Sequence, residues 1–180
     1  SAYRLYRGDN KRAPKLALKT ALFSAALLAP LQAFVGDLHG LNTLEHQPQK
    51  VAAMEGIWET QTGAPLLLFA IPDEETRENH FAIGVPKLAS LILTHEADGE
   101  LKGLNEFQGD HPPVKPVFFG FRIMVGIGML MILVAWWCSW RLYRHDGLST
   151  IQLKILMAMT FSGWLATLAG WYVTEIGRQP

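Results

Sequence analysis

Cysteine is almost absent from these 180 residues: Cys138 is the only one. A lone thiol forms no internal disulfide and lacks the second cysteine of a zinc or redox motif. Set among tryptophans in an apolar run, it reads as a packing residue. Net charge is absent as well. Sixteen Lys and Arg balance sixteen Asp and Glu, so no basic excess calls for nucleic acid as a partner. No leader is visible, because the opening SAYRLYRGDNKR is polar and the first apolar run comes later. Ser1 and Pro180 do not look like natural ends, and the chain is expected to be an internal piece of a longer one. Internal repeats and low-complexity tracts are also missing.

Three long apolar runs are present, although the mean hydropathy of the whole chain is only +0.14. Leu16–Val35, Val117–Trp140 and Ile151–Val173 each approach or exceed the roughly 20 residues that cross a hydrocarbon core about 30 Å thick. Pro30 sits inside the first run, which a membrane helix tolerates when a neighbour satisfies the carbonyl that the proline frees. The second run carries a single charge, Arg122, and ends in Trp136, Trp137 and Trp140, an aromatic belt. The expected fold is an all-α membrane protein with three transmembrane helices and a long outer loop containing short helices.

Basic residues set the orientation. Arg4, Arg7, Lys11, Arg12 and Lys15 precede the first run, and Arg141 and Arg144 lie between the last two. Residues 36–116 hold five Lys/Arg against thirteen Asp/Glu. The expected organisation is a cytoplasmic segment 1–15, a helix 16–35, a periplasmic loop 36–116, a helix 117–140, a cytoplasmic link 141–150, a helix 151–174 and an outer end 175–180. Within the loop, a helix is expected from about Gln49 to Thr60. The apolar patches APLLLFAI and FAIGVPKLASLILTH are too short to span; they either lie at the membrane surface or cover a site. Residues 96–116, rich in Gly, Asp, Glu and Pro, read as loop.

Charges in or beside apolar runs are costly and therefore candidates for function. Arg122 is either a functional group, a buried counter-ion or a side chain reaching the interface. Glu175 and Arg178 follow the third run, where a surface ion pair is the plain alternative. Met124 offers a thioether able to ligate haem iron, though a methionine in a helix is usually packing. Lys50 and Glu55 lie roughly 140° apart on a helix and need not pair. A base at that place would suit proton release from an oxidised hydroquinone; unrelated solvated charges are the alternative. All six histidines fall outside the three runs, so none is placed to ligate a haem deep among these helices. Asp37, His39 and His46 lack a designed metal spacing; a turn made by the two glycines of GDLHG is the expected reading.

GDLHG, QPQKVAAMEGIWET, FRIMVG and GWYVTEIGRQP, in this order, resemble the large subunit of cytochrome bd-type quinol oxidases. The resemblance covers nearly the whole chain. It implies a quinol-binding outer loop acting through Lys50 and Glu55, Met124 as axial ligand of a low-spin haem b, and Arg122 supporting that haem. It further implies Glu175 as axial ligand of a high-spin haem b, and Arg178 near the oxygen-reducing pair. The implied activity is oxidation of quinol at the outer face, with electrons passing through haems b to an oxygen-reducing haem that yields water. The resemblance implies that this activity is electrogenic without pumping. The alternative is a haem-binding electron-transfer subunit that does not itself reduce oxygen. Implied partners are the remainder of the subunit, a small second subunit, quinol and membrane lipid, in the bacterial inner membrane. Departures are the missing histidine ligands and a GRQP that stops before the family's Trp, so the piece alone is not expected to turn over. The loop is short, resembling the short-loop branch that includes cyanide-insensitive oxidases. Haem d versus a third haem b, and ubiquinol versus menaquinol, stay open.

Overall fold

The computed structural model describes residues 1–9, 11–107 and 111–178. The last two residues of GRQP therefore lie outside the described residues. Three helices are long and apolar enough to cross a membrane: α2 (Arg12–His46), α5 (Val114–Arg144), and the run Thr150–Ile176 formed by α6 (Thr150–Ala158), a 3₁₀ turn and α7 (Ser162–Ile176). Their most apolar stretches have mean hydropathies of 1.6, 2.3 and 1.3. Many large apolar side chains on them, Leu27, Phe161 and Trp164 among them, are left uncovered by the chain, as lipid-facing or helix-facing groups must be.

The boundaries move in physically explicable ways. α2 runs on through Gly36, Asp37, His39 and Gly40 to His46, so GDLHG is helix and not the expected turn. Its glycines adopt helical backbone, and Thr43 and His46 bond back to the His39 and Asn42 carbonyls. At 35 residues the helix is about 50 Å long, well beyond a hydrocarbon thickness. The third run is not one unbroken α-helix. At Met159–Phe161 it tightens to 3₁₀, where the hydroxyls of Thr160 and Ser162 donate to the Met157 and Met159 carbonyls and compete with the helical ladder.

Two compact units divide the chain. The first, residues 1–35 and 125–167, holds α1 (Ala2–Tyr6), most of α2, most of α5 and α6. Its core is Leu18, Leu22, Val134, Cys138 and Leu153, so the lone cysteine is indeed buried packing. α6 starts on a reciprocal capping box between Ser149 and Gln152. Pro30 has no N–H to give the carbonyl of Ala26 one turn earlier. The indole Nε1–H of Trp136 donates to that carbonyl at 2.9 Å, and Ser139 Oγ–H donates to the Leu22 carbonyl at 3.2 Å. The belt tryptophan thus completes the ladder of a neighbouring helix where the proline interrupts it. Trp136→Phe keeps the ring and removes the donor. We expect it to lower the stability of the detergent-solubilised protein by about 1–3 kcal/mol, whereas Trp137→Phe leaves the thermal midpoint unchanged.

The second unit, residues 36–124 and 168–180, contains the loop. α3 (Pro48–Glu55) stops five residues before the expected end because Gly56 takes the left-handed conformation, φ +68°, that favours glycine at a helix C-terminus. Strand order was not anticipated: the loop adds two antiparallel pairs to its short helices. β1 (Gln61–Thr62) pairs with β4 (Glu100–Leu101), and β2 (Leu66–Asp73) pairs with β3 (Glu78–Val85). APLLLFAI becomes β2, and the second apolar patch becomes β3 followed by α4 (Leu88–Thr94). A 3₁₀ turn, Leu104–Phe107, precedes α5. The core here is Val51, Ala52, Ala53, Met54, Trp58, Leu104, Val114, Val117 and Val173. α3 is therefore not a solvated helix: its last five residues are all buried.

Candidate quinol and haem site

All six residues singled out in the sequence belong to this second unit. Glu55 ends α3 and is only 4% exposed. Arg122, two turns into α5, meets it: Nη2 donates to Glu55 Oε2 at 3.0 Å. The same guanidinium donates from Nε to the Leu67 carbonyl at 3.0 Å and from Nη1 to the Met54 carbonyl. The register of β2 against β3 shifts between Leu67 and Phe69, and a strand irregularity of this kind leaves backbone groups for other partners. The Phe118 ring lies 3.6 Å from the guanidinium carbon, a cation–π contact that helps hold the charge out of water. One arginine thus fastens the end of α3, the irregular strand β2 and helix α5 together.

Burial pushes the Glu55 carboxyl above its ordinary proton affinity, and the adjacent Arg122 charge and hydrogen bond pull the other way without cancelling it. Burial also lowers the affinity of the Lys50 amine. Lys50 and Glu55 do not pair, as their spacing implied. Instead the Lys50 stem packs on Gly177: a β-carbon there would stand 3.2 Å from Lys50 Cε. The loop lysine is thereby set beside the end of α7, two residues from Glu175 and next to Arg178.

Met124 lies two positions after Arg122, so it points to a different side of α5. Its sulfur rests against α7 at Gly170, where an added β-carbon would be 2.7 Å away. Glu175 and Arg178 are exposed, and no ion pair joins them among the described residues. The donor set suits haem. A thioether is an established axial ligand, and Glu175 is a carboxylate on a membrane-length helix with no partner among the described residues. Neither group is tied up by another side chain. No cluster of three His, Cys, Asp or Glu able to hold a metal ion occurs among the described residues.

Sequence reasoning missed Asn79. From β3 its amide bridges the turn after α3: Trp58 Nε1–H donates to Oδ1 at 3.1 Å, and Nδ2–H donates to the Gly56 carbonyl at 2.7 Å. It also missed Glu74, whose carboxylate accepts the Val114 N–H at 3.0 Å and so caps α5. Neither lies in an apolar run or a motif; only a hairpin assignment for residues 66–85 would have brought them near α3.

Three membrane-length helices, one of them carrying an arginine clamped to a buried loop carboxylate, define a helical membrane protein. The sequence model of the family described as cytochrome bd terminal oxidase subunit I matches residues 1–180, and the chain belongs to that family. It is similar to cytochrome bd ubiquinol oxidase subunit 1 of Bacillus subtilis strain 168, 37% identical over 159 residues, covering 81% of this chain and 34% of the relative. It is 32% identical to the putative cytochrome bd menaquinol oxidase subunit I of the same organism, covering all of this chain and 42% of the relative. The solved bd oxidase of Geobacillus thermodenitrificans superposes with a TM-score of 0.90 at 31% identity, over 99% of this chain and 42% of that one. The chain therefore spans between about a third and a half of the length of these relatives.

Proposed function

We propose that the chain is the quinol-oxidising part of the large subunit of a terminal oxidase, which acts with the remainder of that subunit and a small second subunit in the bacterial cytoplasmic membrane. The observation that carries this reading is the buried Glu55–Arg122 pair at 3.0 Å. It joins a loop carboxylate to the helix that bears Met124. Basic residues before α2 and after α5, against an acid-rich loop, support a periplasmic loop with the N-terminal segment and the α5–α6 link in the cytoplasm.

In this reading Glu55 accepts a proton from the quinol hydroxyl. Its raised proton affinity narrows the gap between a carboxylate and neutral pH, which is where a general base works best. Arg122 holds the carboxylate in place and keeps enough negative charge on it to act. Lys50, positioned by Gly177, donates to the second quinol oxygen and fixes the ring. Met124 and Glu175 would hold a low-spin and a high-spin haem b, and Arg122 and Arg178 would supply positive charge beside them. Bound haem supplies the one-electron acceptors and, with a third haem of type d or b, the reduction of oxygen to water. Protons released at the loop and protons taken up from the cytoplasm separate charge without a pump.

Lys50→Ala in the complete oxidase tests the loop assignment. The expected result is a quinol KM raised about ten-fold or more, the worth of one charge-assisted hydrogen bond, with haem content and spectrum unchanged. Wild-type steady-state kinetics would remove Lys50 from the site.

A further inference from the structure

The geometry points to a binding site for an anionic phospholipid in the first unit, at the start of α2. A cavity of about 620 Å³ lies between α1, the first turns of α2 and the α5–α6 link. Its rim carries Arg12, Lys15 and Lys19. Spacings of three and four residues put these three on one face of the helix. None of them has a carboxylate partner among the described residues, whereas nearby Arg4 is neutralised by Asp9 at 2.7 Å. A single acid, Asp146, lines the cavity, leaving an excess of two positive charges. The floor is of opposite character, made by Leu5, Leu18, Leu142, Leu148 and Leu153.

A cationic rim over a leucine floor matches one kind of ligand: a phosphate head with an acyl chain attached. The position fits as well, because Lys15 and Lys19 bracket the beginning of the first apolar run, where helix and head groups meet. Basic pockets between membrane helices on the cytoplasmic side hold anionic head groups in this way, each nearby cation adding about 1 kcal/mol. Free phosphate would gain nothing from the leucines. A zwitterionic lipid would set its own cation against three others.

The test uses the complete oxidase in nanodiscs containing a diazirine-bearing phosphatidylglycerol or its phosphatidylcholine counterpart. The expected result is cross-linking of the phosphatidylglycerol to peptides covering residues 5–19 and 142–153, unaffected by excess inorganic phosphate. Phosphatidylcholine should label these peptides far less. Arg12→Gln with Lys15→Gln and Lys19→Gln should cut phosphatidylglycerol labelling on the order of 100-fold, about five-fold per charge, with an unchanged haem spectrum. Equal labelling by the two lipids, or displacement by inorganic phosphate, overturns the proposal. So does protection of Lys15 and Lys19 from a water-soluble amine reagent after delipidation, which would mean that a protein segment covers the cavity. Should the triple variant fail to assemble, Lys15→Gln together with the wild-type cross-link positions decides the matter.

Discussion

Glu55→Gln in the complete oxidase is expected to lower the maximal rate of quinol oxidation by about 10²–10⁴-fold, the usual worth of a positioned general base, with full haem content. Glutamine keeps an oxygen for the Arg122 guanidinium, so the clamp on the Met54 and Leu67 carbonyls survives. Alanine is the wrong probe. It strands a charged Arg122 in a buried place, which costs about 3–5 kcal/mol and confounds catalysis with folding. The pH dependence gives a second readout. Burial raises the folded-state affinity of Glu55 above the ordinary value of 4.5, so the base is lost as pH falls through that raised value. The wild-type rate should therefore drop on the acid side, and the Gln variant should lose that limb. Stability runs the opposite way. The native state binds the Glu55 proton more tightly than the unfolded chain, so this group stabilises the fold below pH 4.5 and loses that contribution as pH rises through the raised value. A Gln variant with wild-type turnover would show that Glu55 serves only to hold Arg122.

Met124→Leu is expected to abolish the low-spin haem b spectrum while the protein still assembles. Leucine nearly conserves volume, and such exchanges usually cost under about 1.5 kcal/mol, but it offers no lone pair to iron. Gly170→Ala is the subtler partner experiment. Its new methyl would sit 2.7 Å from the Met124 sulfur, too close for contact, so the flexible thioether must give way. The expected outcome is a lowered reduction potential of that haem, since an axial thioether is what raises it, together with normal haem content. Unchanged spectra and potential in both variants would strike Met124 from the ligand set.

The candidate residues could be picked out because their motifs are short and local. Lys50 and Glu55 sit within one helix, and FRIM places Arg122 and Met124 at fixed angular offsets on another. What they touch was not legible. The resemblance suggested Arg122 as support for a haem, yet three of its N–H groups end on Glu55, Met54 and Leu67, from two loop elements far away in sequence. The 140° offset correctly kept Lys50 from Glu55 but gave no hint of Gly177. The β2–β3 hairpin was missed because its apolar patches lack clean alternation: the register slips twice, so inward and outward positions do not follow a period of two.

Hydrophobic runs of membrane length were enough, on their own, to determine three helices fit to span a membrane and a long loop between the first two. Those signals are intrinsic, since each run must satisfy its own backbone in lipid whatever its neighbours do. Tertiary structure alone decided that Trp136 serves the carbonyl freed by Pro30, and that a loop carboxylate is buried against a helix arginine. These depend on pairs of residues more than sixty positions apart, where only chain folding, and no local pattern, brings donor to acceptor.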